Sequence, residues 1–402
     1  MLRRSVTALA SLGLALAALI AAVSALTRPP PAAALAIVPS HWTVQTVDSP
    51  DAGPGASLRL DSQGRPHISY FDQGFGWLKY AVLSGTQWMT AVIDSRNQTG
   101  AETSLVLDAS DRPAVAYLGG VNVDLRYAER ISPTWVFTDV DRTAPGPEDQ
   151  GFSRPALALD GSGRPHIVYF NYATGKLRHA YRAGSAWVTE TVAPGGDFSL
   201  IQAAPSLVIS GQTPHLAYLS EVPDPLSPTQ VITRLYYATL SGTQWVTSVV
   251  VDEPEAAHTA IALDAQGRPS IAYNDPFVGL RYAVLSGTVW LSETIDTVGA
   301  PGEYVSLVFD ADGIPHVGYL ASTGGGKARY AYKLGSTWRV QTVTTARPVF
   351  GYTSVAVDAA GDPHMAYYTN SVTDDTQTLE YAYVKTRYFF LPVVLKSERE
   401  GG

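Results

Sequence analysis

The chain has 402 residues and a formal charge of −8, with 46% hydrophobic and 16% charged residues, 35 Gly, 27 Pro, 22 Tyr, 8 Trp and no Cys. The low charged fraction excludes disorder driven by charge. The missing Cys excludes a disulfide scaffold, a thiolate metal site and a cysteine nucleophile. The acidic balance argues against nucleic acid as a partner, because phosphate binding needs a basic surface.

At the start of the chain, Met1-Leu2-Arg3-Arg4 leads into an apolar run from Val6 to Leu26. That is the pattern of an export signal. Val23-Ser24-Ala25 places small residues where signal peptidase reads, so residues 1–25 are expected to be a cleaved signal peptide. Left uncut, the run is long enough to anchor in a membrane, the one case in which a membrane partner is expected. Residues 26–40, with Pro29-Pro30-Pro31, read as a stiff Pro/Ala-rich spacer. Export makes the expected location extracellular or the cell surface, where a chain without Cys is held by packing and not by cross-links.

His41 to Asp48 then reads as a single strand carrying Trp42. After it a repeat begins. Ser57-Leu58-Arg59-Leu60-Asp61, followed by Gly64-Arg65-Pro66-His67-Ile68-Ser69-Tyr70, returns six more times, opening at Ser104, Ala156, Ser206, Ala260, Ser306 and Ser354. Each copy but the last continues as Leu-x-Tyr-Ala and Gly-x-x-Trp or a close variant, as in Leu280-Arg281-Tyr282-Ala283 with Gly287 and Trp290. Trp42, Trp88, Trp135, Trp187, Trp245, Trp290 and Trp338 recur about every 49 residues, within the range of propeller blades.

Apolar residues alternate with period two inside each unit, which marks strands. Asp-x-x-Gly-x-Pro between the first two strands is a tight-turn signal. Each unit is therefore predicted to be four short antiparallel strands, A to D. The first Trp-bearing strand has no A, B or C before it, and the last copy, Ser354 to Tyr383, has no D. Joining the two predicts an all-β, seven-bladed propeller of four-stranded blades over 41–387, closed by the N-terminal strand, with a tail at 388–402.

Residues that recur in the copies serve the blade. The Tyr of strand B and the Trp of strand D are expected to pack between blades. His67, His166, His215, His316 and His364 occupy one repeat position. A ring keeps equivalent residues apart, so no metal site is expected there, and a hydrogen bond between blades is expected instead. Asp61, Asp108, Asp160, Asp264, Asp310 and Asp358 are expected to cap turns. The basic residues of strand C, Lys79, Arg126, Arg178, Arg281 and Arg329, read as blade surface.

Function is sought where the copies differ. Two residues before strand A they read Gly55, Glu102, Arg154, Ala204, His258, Tyr304 and Tyr352, and this position is expected to ring the channel mouth on one face. The B-to-C loops on the same face add Asp72, Phe75, Trp77, Asn171, Tyr172, Asn274, Asp275 and Phe277. From these, Glu102, Arg154, His258, Tyr304, Tyr352, Asp72, Trp77, Asn171, Asn274 and Asp275 are the candidate ligand-binding residues. Rings that stack and charges that take hydroxyls suit a sugar or a polar peptide.

The unit Leu-Asp-x-x-Gly-x-Pro-His-Ile-x-Tyr, with Leu-x-Tyr-Ala and Gly-x-x-Trp, resembles secreted bacterial propeller repeats grouped with sialidase-like and BNR-repeat proteins. The resemblance covers about Trp42 to Tyr383 and implies the propeller fold. A sialidase turn would carry an Asp where Ser84-Gly85-Thr86-Gln87-Trp88 has none, and only Arg154 of the arginine triad stands at the channel mouth. A shorter likeness, Arg387 to Lys396, is to the aromatic-Leu-Pro endings of some secreted bacterial proteins. Together these readings predict an exported, non-catalytic, monomeric protein without a cofactor, binding a carbohydrate or cell-envelope ligand at the channel mouth. A polysaccharide hydrolase or lyase using Glu102, His258 and Arg154 is the alternative from another class, and a purely structural surface module is a third.

Overall fold

The computed structural model describes residues 41–385 except 97–100, 120–123, 143–153, 172–173, 193–203, 225–226, 252–257, 344–346 and 372–375. The signal peptide, spacer and tail expected at 1–25, 26–40 and 388–402, and Tyr172, lie outside the described residues.

His41–Lys385 forms one compact unit. Its 28 described strands, numbered β1–β28 in chain order, make seven sheets of four antiparallel strands. The protein is a seven-bladed β-propeller. Six blades take their strands consecutively. The seventh is β26 (Val349–Val357), β27 (Pro363–Asn370), β28 (Gln377–Tyr383) and, on its outer edge, β1 (Thr43–Asp48). Thr43, Val44, Gln45 and Thr46 pair with Tyr383, Ala382, Tyr381 and Glu380. The predicted closure by the N-terminal strand is present, and β1 runs antiparallel to β28. Blade four departs from the expected short strands: Thr213–Asp224 and Ser227–Ser241 form a hairpin of 12 and 15 residues.

The A-to-B turns form as their sequence implies. Asp61 accepts the backbone NH of Gln63 and Arg65 at 2.9 and 2.8 Å, and Arg65 Nε binds the same carboxylate at 2.6 Å. Gly64 sits at φ 74°, which an L side chain resists. These contacts hold the Asp61 carboxyl below its usual range against the opposing effect of burial.

Blades are joined by three kinds of contact. The first is aromatic. Each D-strand Trp meets edge-on the C-strand ring of the preceding blade: Trp42 on Tyr330, Trp88 on Tyr381, Trp135 on Tyr80, Trp187 on Tyr127, Trp290 on Tyr237 and Trp338 on Tyr282, with centroids 5.2–5.8 Å apart. Where blade three has His179 in place of Tyr, Trp245 packs on that imidazole at 5.3 Å. Seven seams are therefore made by one device.

The second contact lies on the channel wall. A Ser hydroxyl opening strand A accepts the backbone NH of the next blade's second A residue: Ser354 from Leu58, Ser57 from Leu105, Ser104 from Leu157, Ser206 from Ile261 and Ser306 from Val355, at 2.9–3.1 Å. Blades three and five open with Ala156 and Ala260 and have no hydroxyl to offer.

The third contact is ionic and was not read from the sequence. The B-strand Tyr donates to an Asp closing the preceding blade's D strand: Tyr70 to Asp48, Tyr117 to Asp94, Tyr169 to Asp141 and Tyr319 to Asp296, at 2.6–2.8 Å. Lys79 and Arg329 bind Asp48 and Asp296 at these same seams. The basic C-strand residues are therefore not mere surface; at these seams they neutralise a carboxylate that the fold partly buries.

The repeated histidines require a second correction. Their hydrogen bonds run within a blade, not between blades. His67 Nδ1 meets Tyr80 Oη and its Nε2 lies 3.2 Å from Asp61; His316 meets Tyr330 Oη and Asp310 in the same way. The imidazole links the A-to-B turn to the C-strand ring on which the next Trp packs. Burial pulls His67, His215 and His316 below their usual pKa, and His166 to about 4. Among the described residues no group of three His, Asp or Glu side chains is arranged to hold a metal ion.

Candidate functional site at the channel mouth

The seven inner strands enclose a cavity of about 420 Å³ lined by their Ser, Thr, Leu, Val and Ala side chains. The residues two before strand A stand at its mouth. Glu102, Tyr304 and Tyr352 hold φ of 56°, 50° and 56°, where blade one has Gly55 at 86°. Three bulky residues therefore sit in a backbone region that normally favours glycine. Bonds to the neighbouring blade hold the bend. Gly55 O accepts Thr103 N at 3.3 Å, and Tyr304 O accepts the Thr353 hydroxyl.

The bend coincides with side chains from separate blades meeting across the mouth. His258 and Tyr304 have ring centroids 4.7 Å apart, and Tyr304 and Tyr352 4.6 Å. Tyr352 Oη donates to Glu102 Oε1 at 2.6 Å. The Arg154 guanidinium lies over the Tyr352 ring, 5.3 Å from its centroid, with Nε 3.9 Å from Glu102 Oε2. One contact chain thus runs His258–Tyr304–Tyr352 and ends on Glu102 and Arg154, through blades five, six, seven, two and three. Gly351 makes room for it: at φ 137°, a Cβ there would stand 2.6 Å from the Tyr304 ring.

Burial, and then the Arg154 charge, push His258 down to about 4, so its imidazole is neutral at pH 7. Burial and the Glu102 carboxylate push the Tyr352 phenol up, and it stays protonated. The mouth offers a carboxylate, a guanidinium, a neutral imidazole and two phenols, which can stack on an apolar face and hydrogen-bond hydroxyls.

The other five sequence candidates lie elsewhere. Asp72, Asn171, Asn274 and Asp275 are buried. Asp72 accepts the NH of Phe75, Asn171 that of Thr174, and Asp275 those of Phe277 and Val278. Asn274 accepts the NH of His258 at 2.7 Å, which places the mouth residue. Trp77 is partly buried and stacks on the exposed Phe75 at 4.5 Å. Asp72, Asn171 and Asp275 thus cap their own turns, and Asn274 positions a mouth residue. The residue that sequence reasoning passed over is Arg59. It lines the cavity below the mouth, and its signal was its charge at an A-strand position that is Val or Ala in the other six copies.

No protein family matches the chain by sequence pattern, and no curated protein is similar to it in sequence. Solved structures do resemble it. AofleA from Arthrobotrys oligospora superposes with a TM-score of 0.52 at 11% identity, over 76% of this chain and 90% of that one. The SapL1 lectin in complex with alpha methyl fucoside gives 0.52 at 14% identity, over 74% and 98%. At these identities the likeness establishes the propeller fold alone. An ulvan lyase is also similar, at 10% identity over 85% and 95%, but its TM-score of 0.47 is too low to support an argument.

Proposed function

We propose that this propeller is a non-catalytic carbohydrate-binding protein whose ligand sits at the channel mouth. The supporting observation is the contact chain of His258, Tyr304, Tyr352, Glu102 and Arg154, five side chains of four chemical kinds gathered from five blades. Stacked rings beside a carboxylate and a guanidinium match what a sugar ring presents: one apolar face and a rim of hydroxyls. SapL1, which shares the fold, is a lectin solved with a methyl fucoside, in keeping with this reading. The apolar run before the propeller supports an exported or cell-surface protein, and the sialidase-like repeat motif is read as kinship of fold without the sialidase reaction.

A glycan array run with the chain from Ser40 and with its Tyr304→Ala variant tests the site. Binding lost in the variant supports it. Binding unchanged in the variant moves the ligand elsewhere. No binding by either protein removes the reading.

A second reading rests on the bond from Tyr352 to Glu102 with Arg154 beside it, an arrangement that could pass a proton to a glycosidic oxygen and hold an acidic sugar. Release of reducing or unsaturated ends from polysaccharides, abolished by Glu102→Ala, would replace the non-catalytic reading with a hydrolase or lyase.

A further inference from the structure

Arg59 is placed where no other blade puts a charge. It pairs across the sheet with His67, and the residues at the same register are Val106, Ala158, Val208, Ala262, Val308 and Ala356. Strand packing at this position plainly works with a small apolar side chain. The guanidinium is therefore not needed to build the blade. It lines the cavity with Arg154, and these two are the only charged residues among the described residues that line it. Arg59 Nη1 donates to Leu58 O at 2.7 Å, and among the described residues no carboxylate forms an ion pair with it. Burial and repulsion from Arg154 both lower its hold on its proton. Glu102, 3.9 Å from Arg154, offsets one of the two charges, and the cavity lining retains one cation in excess. Arg59 is partly buried, and a cation drawn out of water without a counter-ion carries a cost that an anion beside it recovers.

We infer that the channel below the mouth is an anion site, and that the saccharide bound at the mouth is an acidic one whose carboxylate or sulfate reaches down to Arg59 and Arg154. This rests on the mouth being a saccharide site. A planar guanidinium takes a carboxylate or sulfate through two parallel hydrogen bonds, which a neutral hydroxymethyl group cannot match. Stacking on Tyr304 and Tyr352 would hold the ring while the acidic group enters the channel.

The test is calorimetry with uronate and sulfated oligosaccharides, each beside its methyl-esterified or desulfated counterpart, on the native chain and on Arg59→Met and Arg59→Lys. Met suits a position that is apolar in six blades, and an unchanged melting temperature confirms that the variant folds. At least one acidic sugar is expected to bind roughly tenfold or more tightly than its neutral counterpart, the scale of one charge-assisted hydrogen bond. Arg59→Met should remove that preference and leave neutral binding unchanged, and Arg59→Lys should keep part of it. Acidic and neutral sugars binding equally, or a preference that survives Arg59→Met, overturns this inference and leaves the mouth site standing. If no sugar binds, the saccharide reading and this inference fall together.

Discussion

The phenol of Tyr352 donates to Glu102 across the channel mouth at 2.6 Å, joining residues 250 positions apart. The two side chains come from the seventh and second blades, so the bond reaches over the first. It ties the aromatic stack to the only carboxylate in the contact chain.

Removing that hydroxyl should be felt twice. Tyr352→Phe leaves the Glu102 carboxylate without its phenolic donor, a loss of about 1–2 kcal/mol for a bond to a charged group. Ligand affinity should fall as Glu102 loses its set position. Glu102→Gly, by contrast, relieves a left-handed residue by about 1 kcal/mol while losing the same bond. It should melt within a few degrees of the native chain and still fail to bind sugar. Thermal melts beside a glycan array check both variants. A Glu102→Gly protein that binds normally would take Glu102 out of the site.

The closing strand should matter more than a strand near a chain end usually does. Trp42 packs on Tyr330 and its Nε1–H reaches Gln341 at 3.1 Å. Trp42→Ala should cost about 3 kcal/mol, close to the cost of Trp290→Ala. A chain starting at Asp51 loses β1 altogether and exposes the ladder of β28, and it should aggregate or melt well below a chain starting at Ser40. Equal melting temperatures for the two chains would contradict closure through β1.

Asp296 accepts from the Tyr319 hydroxyl at 2.6 Å and the Val298 NH at 3.1 Å, and it pairs with the Arg329 guanidinium. Asp296→Asn strands a partly buried cation at the seam, and breaking such a pair costs about 3 kcal/mol. Tyr319→Phe keeps the ion pair and should cost about 1 kcal/mol. Denaturant titration ranks the two, and the reverse order would show that the ion pair adds nothing.

Acid should destabilise the ring in two stages. His166 and His258 are held down to about 4 in the folded chain, chiefly by burial. An unfolded His takes its proton near 6.5. Unfolding therefore binds protons as pH falls from about 6.5 towards 4, and stability present above 6.5 is lost across that window. The turn carboxylates Asp61, Asp160 and Asp264 are lowered, and their contribution, present above the ordinary carboxylate range, is lost at still lower pH. Melting temperatures from pH 8 to pH 3 should show both falls. A flat profile between 7 and 4.5 would mean that these imidazoles are protonated in the folded state.

The fold was legible because its signals repeat. Trp every 49 residues or so and a Trp strand standing alone before Ser57 determine blade number and closure without reference to any one side chain. The site was legible only as a ring of positions. Spacing placed Glu102, Arg154, His258, Tyr304 and Tyr352 at one rim, but it could not show the positive φ at which three of them sit or their reach across the mouth. Asp72 and Asp275 read as ligand-binding candidates because a polar residue in a turn looks the same whether it faces a ligand or caps its own loop. Asp48, Asp94 and Asp296 went unread, although an Asp after Val or Ile at the end of strand D recurs visibly. Their partners lie on the next blade, and no local pattern reveals a contact across a seam.

The pairing of β1 with β28 also sets the order in which the molecule can be made. Thr46 meets Glu380, a residue 334 positions later. Of the described propeller strands β1 is made first and its partner β28 last. For that interval β1 is an unpaired strand beside a growing row of blades, the last of which also presents an open flank. Such edges recruit other chains. Sealing is thus a contact of extreme sequence separation, and it should be the slow event of folding.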